Sequence, residues 1–275
     1  MSSLPVLRKR AGLNSLLSNQ DANPKVAKNT KIGKLTAVLH LAPGNMSGHE
    51  VCPKRSPGCT AACLHFAGNP LYQDAKTTAR IKKTKLYFDN RNLFMNILAL
   101  EITNHILRAR RKKMDPSFRL NGTSDICFEI KKFILYPETA AIIASRLPEA
   151  NLSARNVISM FPTAQFYDYT AIPNRVAPSN YHLTFSMKED NYTDVRTAML
   201  AGQNIAVVFP LKEIPETYQI GDQTLQVISG DDHDYRPEDP AGVVVGLKVK
   251  GVSGKKDLSG FVQRSQNLQG VLKIA

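Results

Sequence analysis

Three of the four cysteines stand within twelve residues, in the stretch Cys52-Pro-Lys-Arg-Ser-Pro-Gly-Cys59-Thr-Ala-Ala-Cys63. Thiolates gathered this closely are a means of holding a soft metal or an iron–sulfur cluster. Gly58, Pro53 and Pro57 favour a tight, preset loop, so three sulfurs converge from one short segment. An iron left without a protein ligand is then open to a small molecule, which makes the loop a chemical site. Zinc is the alternative. A structural zinc site takes four ligands, with Cys127, His49 or His65 available to complete the set. Three unrelated buried cysteines are the plainer alternative, and Cys127 itself reads as a buried apolar residue rather than a fourth ligand.

Two further clusters carry polar chemistry. In Arg119-Leu120-Asn121-Gly122-Thr123-Ser124-Asp125, a strand ends in a ridge of backbone N–H groups and short hydroxyls. Such a ridge suits a carboxylate, an amine or phosphate oxygens; the plain alternative is a turn with an Asp or Ser helix cap. In Asp231-Asp232-His233-Asp234-Tyr235-Arg236, clustered carboxylates and a histidine suit Mg²⁺ or Mn²⁺ and phosphodiester hydrolysis. A run of this kind is more commonly a solvated acidic loop. Tyr72, Tyr87, Tyr167, Tyr169, Tyr181 and Phe185 offer stacking surfaces for bases, with core packing the better reading for most. No P-loop, nucleophile elbow or zinc-protease helix motif is present.

The elements that must position these residues follow from periodicity. Residues 1–30 are polar, basic and aperiodic, and read as an extended N-terminal arm, ordered only against the body or a partner. A buried strand begins at Lys34, stops at Pro43-Gly44, and leads into the cysteine loop at 52–63. Leu93, Phe94, Ile97, Leu98, Ile102 and Ile106 recur at helical spacing, which predicts a helix capped by Asp89 or Asn90 and running to about Lys112. Beyond Pro116, strand-like runs alternate with helical or loop segments: Phe118–Asn121, Val157–Met160, Phe166–Tyr169, Tyr181–Ser186, Ile205–Phe209, Leu225–Ile228 and Val243–Val249, with helices at Glu138–Arg146 and Tyr192–Ala201. The alternation predicts parallel α/β units. Residues 31–275 read as one α/β domain, a complete or partial (β/α) barrel, with a doubly wound sheet as runner-up. Functional residues of barrels come from strand C-termini. Asn121, Gly122, Thr123, Ser124, Asp125, Asp168, Ser186 and Asp231 occupy such places.

The chain of 275 residues carries 36 Lys and Arg against 23 Asp and Glu, a net charge of +13. Eleven of these cations fall between Lys76 and Lys113, against Asp89 and Glu101, and Arg8-Lys9-Arg10 adds a second group. Nucleic acid is the partner such polarity suggests, through residues 76–113 and the arm; a solvated basic face is the other reading. Cations in the last turns of the predicted helix also suit its dipole. No apolar run reaches the roughly 20 residues that span a bilayer, and no secretory leader is evident. A cytoplasmic protein is expected, in which clustered cysteines serve metals rather than disulfides.

The stretches LAPGNMSGHEVCPKRSPGCTAACL, TARIKKTKLYF, RLNGTSDICFE, YHLTFSMKEDN, NIAVVFP and GDDHDYRPEDPAGVVVGLKVKG occur in order. Together they resemble an uncharacterised phage-encoded family, gene product 88, which places the protein in the host cytosol. A more distant resemblance is to phage proteins of radical-SAM-like character. Those carry an S-P-G-C-x-x-C-Y loop followed by strands ending S-M-S-D-L-F, L-T-K-R-P and G-V-S-x-E-N. The corresponding stretches are Ser56–Leu64, Gly122–Phe128, Asp168–Pro173 and Thr184–Asn191. This resemblance implies a partial (β/α) barrel with a 4Fe–4S cluster near the strand C-termini, held by Cys52, Cys59 and Cys63. It also implies S-adenosylmethionine at the open iron, its amino group near Asn121–Ser124. The loop here is C-x6-C-x3-C rather than C-x3-C-x2-C, and Leu64 stands where an aromatic is usual. The expectation is an iron–sulfur protein of radical-SAM-like architecture that modifies or binds nucleic acid. The alternatives are a zinc-stabilised nucleic-acid-binding protein and a metal-dependent nuclease built on residues 231–239.

Overall fold

A computed structural model describes residues 3–19, 21, 23–210 and 214–264. In chain order the elements are α1 (Leu4–Ala11), β1 (Leu17–Ser18), α2 (Pro24–Ala27), β2 (Lys34–Leu39), α3 (Pro57–Ala61), α4 (Gln73–Asp89), α5 (Arg91–Arg111), β3 (Asp115–Arg119), α6 (Pro137–Arg146), α7 (Val157–Met160), β4 (Gln165–Thr170), β5 (Tyr181–Ser186), α8 (Tyr192–Leu200), β6 (Ile205–Phe209), β7 (Thr217–Ile220), β8 (Gln223–Ser229), β9 (Val244–Lys248) and α9 (Gly251–Lys255).

The strands form one mixed sheet in the order β1-β2-β3-β4-β5-β6-β9-β8-β7. From β2 to β6, and on through β9 to β8, neighbours run parallel; β1 and β7 close the two edges antiparallel. From β2 to β6 each new strand adds on the same side, with no reversal of direction. A doubly wound sheet reverses at its switch point, so that runner-up does not describe this order. β1 and β7 stand at opposite edges of the strand order, so the described sheet is open and a complete barrel is not formed.

Period-two alternation sorts the strands into two faces. Ala37 and Leu39 of β2, Phe118 of β3, Phe166 of β4 and Leu183 of β5 point into an apolar core. Its other wall is α5, of whose 21 residues fourteen are buried. Asn90 caps that helix by accepting the N–H of Leu93 (3.1 Å). A second apolar cluster joins Phe185, Ile205, Val207 and Val244 to Val195 and Ala198 of α8.

The opposite face of β2–β4 is polar yet buried. Thr36 and Ser117 share a hydrogen bond (2.7 Å), and Asn29 donates to Thr36 and to the hydroxyl of Tyr167. Tyr167 donates to Asp234 (3.0 Å), and Arg119 Nη1 donates to the same carboxylate (3.1 Å). The segment that brings Asp234 is the acidic run expected to be a solvated loop. Instead Asp234 and Tyr235 are buried and Arg236 is fully enclosed, so the run plugs this face of the sheet.

The structure differs from expectation at three further places. Residues 1–30 do not form an extended arm where they are described. Leu7 and Leu16 are buried, β1 pairs with β2, and the carboxylate of Glu101 accepts the N–H groups of Leu16 and Leu17 and a contact from Arg8 (2.9 Å). Val157–Met160 is the short helix α7, capped by Asn156 accepting from Ser159 N, not a strand; four apolar residues carry no periodicity to separate the two. The basic run 76–113 belongs to two helices, α4 and α5, joined at Asn90.

Candidate functional site

The cysteine loop lies beyond the C-terminal ends of β2 and β3. Its entry is tied to the turn after β3: Cys52 Sγ approaches the carbonyl of Thr123 (3.8 Å), accepts from Gly44 N (3.4 Å), and Asp125 N donates to Val51 O (2.7 Å). Ser56 caps α3 by accepting the N–H of Cys59 (3.1 Å). Glu189, from the turn after β5, then clamps the loop: it accepts from Ser56 Oγ (2.7 Å) and from Gly58 N (2.6 Å). Gly58 is required there, because a Cβ would run into Glu189 and Ser259. A cleft of about 530 Å³ opens on the outer side of the loop, lined by Cys52, Ser56 and Thr60 among others.

All four cysteines are free and half-buried. Burial, more than any neighbour, pushes Cys52 up to about 12 and Cys59 up to about 11, and also raises Cys63. Two of the loop thiols also feel another: Cys63 and Cys59 raise Cys52, and Cys63 raises Cys59. Opposing them, Arg80 and Lys76 act on Cys63, and Lys188 on Cys59. Cys127 is shifted by burial, Arg175, Glu129 and Asp125, not by the other thiols, so it stands apart. The other fourth-ligand candidates are engaged. His49 stacks on Phe88 at 4.2 Å. His65 is buried between Thr77 (3.0 Å) and Arg80 (2.8 Å), and burial, with Arg80 and Lys76, pushes it down to about 4. Among the described residues no three His, Cys, Asp or Glu side chains come together as a single-ion group.

The Asn121–Asp125 turn is pinned by its own side chains. Asn121 Nδ2 donates to Ile126 O, and its Oδ1 accepts from Ser124 Oγ and Ile126 N. Thr123 Oγ1 donates to Leu41 O (2.6 Å). Asp125 accepts from Thr170, Ala171 N and Arg175. Gly122 packs against His40, whose Nδ1 would lie 2.5 Å from a Cβ. Asp168 is fully buried beneath this turn; it accepts from Leu120 N, Asn121 N and the Tyr181 hydroxyl, and burial outweighs these and Arg119 to push it up to about 7. Ser186 ends β5, with its carbonyl accepting from Asn191. Asp231 accepts from Lys248 N (2.8 Å) and pairs with Lys250 (3.2 Å), away from the turn after β3. Of the other acids of 231–239, Asp234 pairs with Arg119 and Lys25, Glu238 with Lys34 and Asp239 with Arg236, while Asp232 accepts from the Ser229 hydroxyl. The structure thus brings Asn121–Asp125 and Asp168 together with the cysteine loop, and leaves the acidic run as a structural plug.

Sequence reasoning missed Glu189, Arg80 and His40. Glu189 lies inside the stretch Thr184–Asn191 and His40 one residue past β2, yet neither stands out by spacing. Arg80 is one cation among many until α4 turns it toward Cys63.

No helix among the described residues is long and apolar enough to cross a membrane. No curated protein and no solved structure matches the chain. A family model described as gene product 88 matches residues 13–265, which take in the sheet, the plug and the cysteine loop, and the chain belongs to that family.

Proposed function

We propose that this protein holds a 4Fe–4S cluster on Cys52, Cys59 and Cys63. The charge pattern around the loop carries the reading. Three free thiols share one neighbourhood, and Arg80 and Lys76 face Cys63 with no ion-pair partner among the described residues. Half-buried cations with no acid to neutralise them complement thiolates and the negative charge of a thiolate-ligated cluster. Zinc fits less well. A single zinc draws its sulfur ligands to within about 4 Å of one another, whereas a cluster, with one iron per thiolate, spreads them wider. Bound there, a cluster supplies electron transfer and an iron without a protein ligand.

The chain's own residues shape what meets that iron. The turn after β3 lies directly against Cys52 through the carbonyl of Thr123. The N–H groups of Thr123 and Ser124 make no hydrogen bond among the described residues, while those of Asn121, Gly122, Asp125 and Ile126 all do. Two free donors beside the loop suit the oxygens of a small ligand of the S-adenosylmethionine type. The one-directional strand order supports a partial (β/α) barrel with the loop on its C-terminal rim. Nucleic acid remains the partner favoured by charge, because Lys82, Lys85, Arg111 and Lys112 are exposed and form no ion pair among the described residues.

Anaerobic purification followed by iron and acid-labile sulfide analysis tests the cluster. Wild-type protein should carry both in comparable amounts and show visible absorbance. The Cys52→Ala, Cys59→Ala, Cys63→Ala triple variant should lose both while keeping its circular dichroism. Unchanged iron in the variant would overturn the reading, and stoichiometric zinc without sulfide would favour the zinc alternative.

A further inference from the structure

His40, Arg119 and Tyr169 leave three buried polar atoms without a partner on the polar face of the sheet. They are His40 Nδ1, Arg119 Nε and the Tyr169 hydroxyl. Buried polar atoms are paired in the large majority of cases, so each unpaired one needs a physical reason. Only two others occur among the described side chains, Tyr87 and Thr139. These three lie on, or one residue beyond, the adjacent parallel strands β2, β3 and β4.

Alternation puts them on one side. Leu39, Phe118 and Phe166 face the apolar core, so His40, Arg119 and Tyr169 face the other way. Val38 pairs with Arg119 across β2 and β3, which sets His40 just above it toward the strand C-termini. The Arg119 guanidinium lies 4.8 Å from the centre of the Tyr169 ring.

Arg119 is 9% exposed, and all its hydrogen bonds among the described residues leave from Nη1, toward Asp234. The Nε–Nη2 edge is therefore unused. That edge is the one that takes a carboxylate or phosphate side-on through two parallel hydrogen bonds. Asp168 lies 3.9 Å from Nε, too far for a hydrogen bond, and its oxygens already accept from Leu120 N, Asn121 N and Tyr181. The Tyr169 hydroxyl and His40 Nδ1, from the strands on either side of β3, are further unpartnered polar atoms on the same face. Lys25 stands 6.0 Å from the Tyr169 ring, and around His40 the cations Arg80, Arg119 and Lys83 each act more strongly than the one opposing carboxylate, Asp234, so the surroundings favour an anion.

We propose that His40, Arg119 and Tyr169 form a binding site for an oxyanion, the carboxylate or phosphate group of a small-molecule ligand. The site is separate from the cysteines and does not need a cluster. Arg119 both anchors the plug through Asp234 and offers its free edge to the ligand. Gly122 is what lets the imidazole lie there, since any side chain at 122 would displace it.

The test titrates inorganic phosphate, and separately succinate, into the full chain while following the His40 ring by nitrogen-15 NMR. It runs in parallel on protein as purified and on the triple cysteine variant. Saturable shifts of His40 are expected with at least one probe in both preparations; the preferred probe tells a phosphate ligand from a carboxylate. Tyr169→Phe removes a hydroxyl with no partner in the protein, so its melting temperature should hold or rise. Its affinity for the probe should fall by about tenfold or more, as loss of a hydrogen bond to a charged group implies. Absence of any His40 shift with either probe, or Tyr169→Phe protein binding as tightly as wild type, would overturn the proposal. Anion binding by anaerobically purified wild-type protein that carries no iron would count against the cluster alone.

Discussion

Asp234 sits with its side chain 1% exposed between Arg119 and Lys25, and that pairing sets what its removal should do. Asp234→Ala leaves the buried Arg119 with only the more distant Asp168 (3.9 Å) as counter-charge, and breaking a buried pair of this kind costs about 3–5 kcal/mol; urea unfolding measures it. The same pair gives a pH dependence of definite sign. Burial alone would push the Asp234 carboxyl up, but Arg119, then Lys25, Tyr167 and Arg236, hold it well below the usual carboxylate range. A carboxyl depressed in the folded state contributes stability that is fully present above its unfolded value of about 4. That contribution is lost as pH falls below this and through the folded value. Wild-type stability should therefore drop steeply below pH 4, and Asp234→Asn should lack that component of the drop. An acid-unfolding profile of the variant as steep as that of wild type would contradict the assignment. At this scale the three loop thiols were legible in the sequence because type and spacing are local. The burial of Asp234 was not, since a run of acids reads as solvated until Arg119 and Lys25 are seen to meet it from distant segments.

Among the elements, the turn after β5 has a task out of proportion to its length. Glu189 holds both Ser56 and the backbone of Gly58, and so fixes the start of α3 and the direction of Cys59. Glu189→Ala should reduce iron content markedly while changing global stability by no more than the two lost hydrogen bonds, about 3–6 kcal/mol with a charged acceptor. Iron per chain set beside the unfolding free energy separates a loop effect from general unfolding. At α5, Asn90→Ala removes an N-cap and should cost about 1 kcal/mol. That helix was legible because its apolar residues repeat at helical period from Leu93 to Ile106, nearly four turns, and a capping residue stands at its start. β5 and β6 were equally plain, as short β-branched or aromatic runs between turn residues. α4 was not, because lysines hide its weaker periodicity, and α7 is too short to show any.

Across the whole molecule, the parallel order of the sheet follows from the alternation of strands and helices, but which strands lie side by side is decided by tertiary packing. Nothing in the sequence announces that 231–239 returns to cover one face of β2–β4. Net charge is legible at once, and its consequence is testable. If the exposed cations of α4 and of the end of α5 meet a nucleic acid, binding should weaken steeply between low and physiological salt, log affinity falling linearly with log salt. Lys82→Glu with Lys85→Glu should flatten that slope; an unchanged slope would leave these cations as a solvated surface. The family match extends over sheet, plug and loop together, and Thr123 and Glu189 tie the cysteine loop into one unit with the sheet that positions it. The central claim is that this unit carries a cluster on Cys52, Cys59 and Cys63. Native mass spectrometry of the anaerobically purified full chain tests it most directly. The prediction is a species heavier than the polypeptide by four irons and four sulfides, absent from the triple cysteine variant. A wild-type mass equal to the bare chain, or to the chain with a single zinc, would contradict it.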